Sequence, residues 1–524
     1  MLAYKIDEYC FFTKAEDSFY QLVAIIKEKE TNHMSLSDME TLLHEKLQDI
    51  GRDLIQAKMN MVGYLDSEAV VKGSDGVARS RKRLKGRKIE TRFGEVDYER
   101  WGYGAPGVDS LFPADGHLNL PPEKYTHAVR RLVSEDVTRS SYDEALEVLA
   151  ERTAAKVPKR QGLELSRRAA EDFVTFYDEG ATLRPDLVVA SEDSGSLLIL
   201  TTDGKGVVMR PEGLREATRK AAEKKKNKVE KRLSPGEKGN CKRMSQVASV
   251  YTISPYIRTA EDIADSSVPA EKKKEKKPRP ENKRVWASIE RKADQVIEEI
   301  FTEAQVRDPR HKKQWVGLVD GDPKQLKLLE ETAVAYNVTL IIILDFIHVL
   351  EYLWKASRAF YAEASPKCEQ FVSERLLRLL HGQSSQVAKG MRKMATDRGL
   401  SKTERKAVDK CAAYLLKYKE YLHYDQYLAQ GLPIATGVIE GACRYLVKDR
   451  MDITGARWGL SGAEAVLRLR SLRASGDFHN YWQYHEKMEQ ERNHISKYSN
   501  GLPPLKDEDV KTPRPRGHLH LVKS

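Results

Sequence analysis

Cysteine is scarce in this chain: Cys10, Cys241, Cys368, Cys411 and Cys443 are the five among 524 residues, and no pair has zinc-finger or redox-motif spacing. A disulfide framework or a structural zinc site is therefore not expected, and reduced thiols suit a cytoplasmic setting. Long apolar runs are missing too. The most apolar stretch, Val338 to Leu350, is broken by Asp345 and His348 and is too short to span a bilayer. The start, Met1 to Cys10, lacks the pattern of a signal peptide. Neither a glycine-rich phosphate loop nor a nucleophile elbow occurs, which argues against a small-molecule α/β enzyme. No internal repeat is present. The expectation is a soluble intracellular protein with no membrane partner.

What is abundant is charge. Charged residues make up 32% of the chain, and Lys plus Arg exceed Asp plus Glu by eleven. That balance favours a polyanionic partner, most often nucleic acid, although a basic soluble surface gives the same number. The length suggests two to four domains. Residues 1–75 read as a helical region, because Phe19, Leu22, Ile25 and Ile26, then Leu42, Leu43, Leu47, Ile50 and Leu54, recur at helical spacing. Residues 76–180 read as a nucleic-acid-binding region. A basic run from Arg79 through Arg81, Lys82, Arg83, Lys85, Arg87 and Lys88 leads into Ile89 to Trp101, which alternates around Phe93-Gly94 like a β-hairpin. Ser141 opens a helix over Tyr142–Arg152 with a capping box. A break at Val157-Pro158 precedes a second helix through Leu163, Leu165 and Phe173, carrying Arg160, Arg167 and Arg168. Helix, short turn and basic helix is the outline of a helix-turn-helix DNA reader, and equally of any helical hairpin.

From about residue 185 the pattern becomes α/β. Leu187-Val188-Val189 is strand-like, and Leu197 to Leu200 reads as a strand entering a turn at Asp203-Gly204-Lys205-Gly206, with Val207-Val208-Met209 returning as a hairpin. Lysine-rich linkers near 215–243 and 271–284 flank a strand at Val247–Ile253 and are too poor in large apolar side chains to bury a core. A helix over Val285–Glu303, the strand Trp315–Val319, a helix over Gln325–Ala335, the strand Val338–Leu344 and a helix over Phe346–Phe360 then alternate. Residues 361–430 read as an all-α insertion, followed by helices at Thr436–Asp449 and Ala463–Ala474. The tail, 498–524, is rich in Pro, Lys and Arg and reads as disordered.

Three acidic residues fall where phosphodiester chemistry needs them. Two divalent ions about 3.5–4 Å apart require carboxylates converging from different elements, and hard cations prefer oxygen ligands. Asp203 follows the apolar run Leu197–Thr202, and Asp320 follows the strand Trp315–Val319. Asp-Gly at a strand end is ordinarily a turn, so the joint placement is what counts. Asp322 is the rival of Asp320. Glu440 opens a helix on which Arg444 and Lys448 follow at four-residue steps, sharing its face; an ordinary Glu–Arg pair is the plainer reading. Asp345 has the position of an N-cap, and His348 either orients a phosphate or packs.

Four blocks occur in order: Thr201-Thr202-Asp203-Gly204-Lys205-Gly206, Val316 to Gly321, Asp345 to Trp354 with its Asp-x-x-His, and Gly437-Val438-Ile439-Glu440 through Arg450 with Gly455-Ala456-Arg457-Trp458. Together they resemble the core of ISKra-type bacterial insertion-sequence transposases, akin to the Mutator-like group, over roughly residues 90–480. The resemblance implies a DDE recombinase with an RNase H-like core at 185–480, a mixed sheet with flanking helices. It further implies the helical insertion and a mainly helical N-terminal DNA-binding region. Asp203, Asp320 and Glu440 would be the catalytic metal ligands, holding two Mg²⁺ ions or Mn²⁺ in their place. Lys205, Arg444, Lys448, Arg457 and Trp458 would contact DNA beside them, core packing being an equal reading for Trp458, and Asp345 and His348 would be auxiliary. The partners implied are terminal inverted repeats and target DNA, handled by a homo-oligomer in the bacterial nucleoid. Relatives often carry paired cysteines in the region matching Trp101–Leu111; here there are none. A regulator that binds without cutting, or an RNase H-like nuclease that cuts without joining, would carry the same blocks.

Overall fold

The side chains of Ser35, Thr126, Ser141, Asp322, Asp345 and Ser365 cap six of the helices, and continuous apolar runs set the central strands. The computed structural model describes residues 9–65, 70–179, 193–224, 241–264 and 277–504. Its contacts divide the chain into two units: Met1–Asp172 together with His479–Ser524, and Phe173–Phe478.

In the first unit the helices Tyr9–Lys27 and Leu36–Tyr64 pack together, the second starting at Ser35, whose hydroxyl accepts from the Asp38 amide. A short ladder, β1 (Val71–Lys72) with β2 (Ala78–Arg79), precedes an antiparallel sheet in the order β3 (Arg81–Thr91), β4 (Gly94–Ala105), β5 (Val108–Leu111). Its hairpin turns at Arg92-Phe93, and Gly94 has a φ of 101°, which suits glycine alone. The long helix lies on β4, burying Met59 and Val62 with Ile89, Val96 and Tyr98. Three helices, His127–Val137, Tyr142–Arg152 and Lys159–Ala169, pack on one another behind the caps Thr126 and Ser141. The helix bearing Arg160 stops at Ala169; Phe173, expected on it, begins a separate helix, Phe173–Asp178, in the other unit.

The chain returns to this unit at its far end. The helix Phe478–Asn493, which the apolar periodicity did not reveal, brings Glu489 and His485 to Arg130, a fully buried guanidinium. Arg130 donates to Glu489 at 2.9 Å, lies 2.9 Å from His485 Nε2 and also pairs with Glu123. Tyr498, expected to begin a disordered tail, is buried with Val71, Tyr103 and Leu111. Residues 505–524 lie outside the described part, as do Leu187-Val188-Val189, residues 225–240 of the first lysine-rich linker and 271–276 of the second.

The second unit is built on a five-stranded mixed sheet in the order β10-β9-β6-β7-β8, where β6 is Leu197–Val208, β7 Lys242–Ile253, β8 Glu281–Ser288, β9 Gln314–Val319 and β10 Leu340–Leu344. β10, β9 and β6 run parallel; β7 and β8 are antiparallel additions. The parallel strands read as near-continuous apolar runs because they are buried within the sheet. Two expectations are corrected. Asp203 to Gly206 form no turn: β6 runs through them, paired residue for residue with β7, and neither glycine adopts a positive φ. The apolar residues from Val285 belong to strand β8, and the helix starts later, at Ala293, ending at Arg307. Helical spacing and strand alternation both fit a short run such as Val285-Trp286-Ala287; pairing with β7 decides it. Residues 361–430 are mainly helical as expected, in the segments Pro366–Leu380, Ser384–Asp397, Lys406–Lys417 and Tyr424–Ala429. No described helix is long and apolar enough to cross a membrane.

The helix Leu460–Ser475 packs on β8, and its Glu464, 4% exposed, accepts from the Ser288 hydroxyl at 2.9 Å, from the amides of Ile289 at 2.8 Å and Glu290 at 3.3 Å, and from Arg468 at 3.2 Å. Glu464→Ala strands those buried donors and is expected to cost about 2–4 kcal/mol, read as a lower midpoint in urea unfolding of the full chain.

Candidate metal centre

Parallel pairing sets the register of the two aspartates. β6 pairs with β9 up to Thr201 opposite Leu318. Two residues beyond each stand Asp203 and Asp320, on the same side of their strands by the two-residue alternation. The half-buried Asp203 carboxylate accepts from the Gly204 amide at 2.6 Å and, through its other oxygen, from the Cys443 thiol at 3.2 Å. Asp320 accepts from the Asp322 amide at 3.1 Å, while its carbonyl takes the Tyr414 hydroxyl at 3.0 Å. Asp322, the rival, is turned away: its carboxylate caps the helix Pro323–Ala335, accepting from Lys324 at 2.9 Å and Gln325 at 3.0 Å.

Glu440 comes from the short helix Gly437–Ala442, which packs against β6 and β7. Its approach is fixed by Asp345. As expected, Asp345 caps its own helix, Phe346–Ser357, accepting from the His348 amide at 3.1 Å. The same oxygen takes the His348 ring at 2.9 Å, and the other takes the Thr436 amide at 2.9 Å, one residue before Glu440's helix. Asp345, His348 and Glu440 bring three ligand atoms within 4.8 Å of one another, the set of His, Cys, Asp and Glu side chains that does so among the described residues. Asp203 and Asp320 stand outside that set. The carboxylates at 203 and 320 instead bond near neighbours, Asp203 the Gly204 amide and the Cys443 thiol and Asp320 the Asp322 amide.

Charge nonetheless couples all five groups. Burial and the nearby Asp203 charge push the Asp320 carboxyl above its ordinary range, against the Asp322 amide and the His348 ring. Burial also raises Glu440, helped by Asp345 and Asp203. Asp345 would be raised by burial, but the His348 ring and the Thr436 and His348 amides outweigh it and hold it low. His348 is raised to about 9, first by its hydrogen bond to Asp345 and then by the charges of Asp345, Asp320 and Glu351. Asp203, Asp320 and Glu440 would offer a divalent cation oxygen donors only, the kind Mg²⁺ prefers.

The cations expected around this centre are only partly as the sequence suggested. Lys205 lies on β6 two residues from Asp203, hence on the same face. Arg444 and Lys448 are exposed, but the segment Cys443–Lys448 is a π-helix. Its wider turn breaks the four-residue alignment assumed for Glu440, Arg444 and Lys448, and Arg444 lies 3.7 Å from Asp449. Arg457 is exposed. Trp458 is not available to DNA: it is 7% exposed, its indole N–H donates to Met451 at 2.9 Å, and Arg450 covers its ring. In the first unit Arg160 is exposed, while Arg167 pairs with Glu164 and Arg168 with Glu123. Sequence reasoning passed over Cys443, whose one visible sign is its place three residues after Glu440, and Tyr414, which stacks on Tyr352 at 4.2 Å and lies 94 residues from the Asp320 carbonyl it binds.

No protein-family model and no curated protein matches this chain.

His348 offers a direct check of these electrostatics. Its folded pKa lies above the ordinary 6.5, so the imidazolium's contribution to stability is fully present below about pH 6.5 and is lost as the pH rises through about 9. NMR titration of the metal-free protein should find the ring charged at neutral pH with a midpoint near 9, and Asp345→Asn should move that midpoint down towards 6.5.

Proposed function

We propose that the chain is a DNA transposase, an enzyme of metal-dependent strand cleavage and strand transfer, with an RNase H-like catalytic core in the second unit. One observation carries this reading: Asp203, within β6, and Asp320, just past the end of β9, stand in matching register two residues beyond the last pairing of these parallel strands, and the helix of Glu440 packs on β6 and β7. The strand order supports it, because an antiparallel run of three strands followed by two parallel ones, with the first and fourth adjacent, is the arrangement of RNase H-like sheets. Basic composition supports a polyanionic substrate.

Asp203, Asp320 and Glu440 are the residues that would hold two Mg²⁺ ions, with Mn²⁺ able to substitute. Such ions supply activation of the attacking oxygen and stabilisation of the leaving one. The protein's own share is positioning. Asp345 holds His348 and the entry to Glu440's helix, Cys443 holds one oxygen of Asp203, and Lys205 sets a cation on the same strand face. The DNA acted on is the pair of terminal inverted repeats of the element and its target, handled by a homo-oligomer.

The test is a strand-transfer assay on an oligonucleotide bearing the element end. Asp203→Asn and Asp320→Asn should each lower cleavage and joining by roughly 10²–10³-fold or more, several kcal/mol of transition-state stabilisation. Asp322→Asn should keep most activity, having a capping role. Full activity of Asp203→Asn at normal expression would reject the reading. Cleavage without joining would assign a nuclease, and binding without cleavage by the parent protein a regulator.

A further inference from the structure

We propose that the row Arg81, Arg83 and Lys85 on edge strand β3 is a contact surface for the phosphate backbone of double-stranded DNA. It rests on the function proposed above for the identity of the polyanion, and it adds the place where the polymer is gripped.

The sequence offers seven cations between Arg79 and Lys88, and the fold sorts them. Arg79 forks onto Asp75, at 3.0 and 2.7 Å. Arg87 donates to the carbonyls of Pro121 and Glu123 and lies 3.5 Å from Asp115. Lys88 pairs with Glu95 at 2.7 Å. Lys82 points to the opposite face, over the Trp101 ring at 4.2 Å. Arg81, Arg83 and Lys85 remain, all exposed, and no described carboxylate lies within ion-pair distance of any of them. They are alternate residues of one strand, so they share a face, with about 6.5–7 Å between successive side chains. That is comparable with the separation of successive phosphates along one DNA strand.

The surroundings leave the row open. β3 is the edge of its sheet, and the bridge recorded on its outer side, Glu90 with Tyr125, lies beyond the row. Across the ladder Arg81 faces Gly104, Arg83 faces Gly102, and Lys85 faces Arg100, whose guanidinium is held by Asp115 at 3.0 Å. No carboxylate stands opposite any of the three. Lysine on an edge strand commonly serves to prevent edge-to-edge aggregation, and one would suffice. Two arginines and a lysine in phase make a periodic set of donors suited to phosphate oxygens. A lipid surface fits less well: among the described residues, no large apolar side chain between 71 and 243 is exposed, so nothing beside the row can insert. The helix-turn-helix outline is the weaker grip, since Arg167 and Arg168 already face carboxylates.

Fluorescence anisotropy of the full chain on duplex DNA, in EDTA and across a salt series, tests this. Arg81→Gln/Arg83→Gln/Lys85→Gln should bind more weakly, with the slope of log K against log salt shallower by roughly three, about one per lost phosphate contact. Lys88→Gln should leave the slope as in the parent. A triple variant that melts like the parent yet keeps its slope overturns the proposal. So does one whose loss appears on phosphatidylserine vesicles or polyglutamate but not on the duplex. Because no turnover occurs in EDTA, this result is separable from the catalytic test: a row that binds duplex beside an active Asp203→Asn would keep the surface and discard the chemistry.

Discussion

The carboxylate of Asp345 is the joint on which the second unit's candidate centre depends. It is 0% exposed, and its two oxygens accept from one ring nitrogen and two amides. Its own amide donates to Val319 at 2.7 Å, and the next amide, of Phe346, donates to Ile434 at 2.9 Å. The end of β9, the start of the helix after β10 and the segment entering Glu440's helix therefore meet at one residue. A buried carboxylate is costly unless fully bonded. Here every bond it makes also fixes something else, so the group that must be satisfied is the group that aligns the three elements.

Around that joint the electrostatics are deliberately unbalanced. Asp203, Asp320 and Glu440 contribute negative charge, and the His348 imidazolium answers only part of it. Like charges held near one another cost stability, and carboxyls perturbed in this way make the place a candidate functional site. Asp203 is bonded to its neighbour Gly204 and, across 240 positions of chain, to Cys443, while Asp320 is bonded to Asp322.

Much of this was legible in the sequence, and the failures have physical causes. The parallel strands announced themselves as apolar runs, and Asp345 and Ser141 as caps, because those signals are local. Asp320 could be picked over Asp322 only once the latter was seen capping a helix. The Asp203-Gly204-Lys205-Gly206 segment misled because glycine permits a turn without requiring one; its pairing with residues 244–247 of a distant strand settles the matter. Trp458 was open between stacking on DNA and packing until its buried N–H was located. The π-helix at Cys443–Lys448 leaves no mark in residue spacing, so the face shared by Glu440, Arg444 and Lys448 existed only on an ideal α-helix. The cations of β3 formed one undivided run in the sequence; which of them are spent internally depends on acids and carbonyls up to 36 residues away.

The first unit is assembled from both ends of the chain. Arg130 sits in its interior, and of the acceptors that surround it, Glu489 and His485 are contributed by residues synthesised more than 350 positions later. During translation that guanidinium waits, incompletely solvated by protein, while the whole sheet-bearing unit emerges and can fold. The unit that carries the basic strand is thus completed last. A ribosome that stops early releases a chain in which the unit Phe173–Phe478 can be finished while the other still lacks part of its interior.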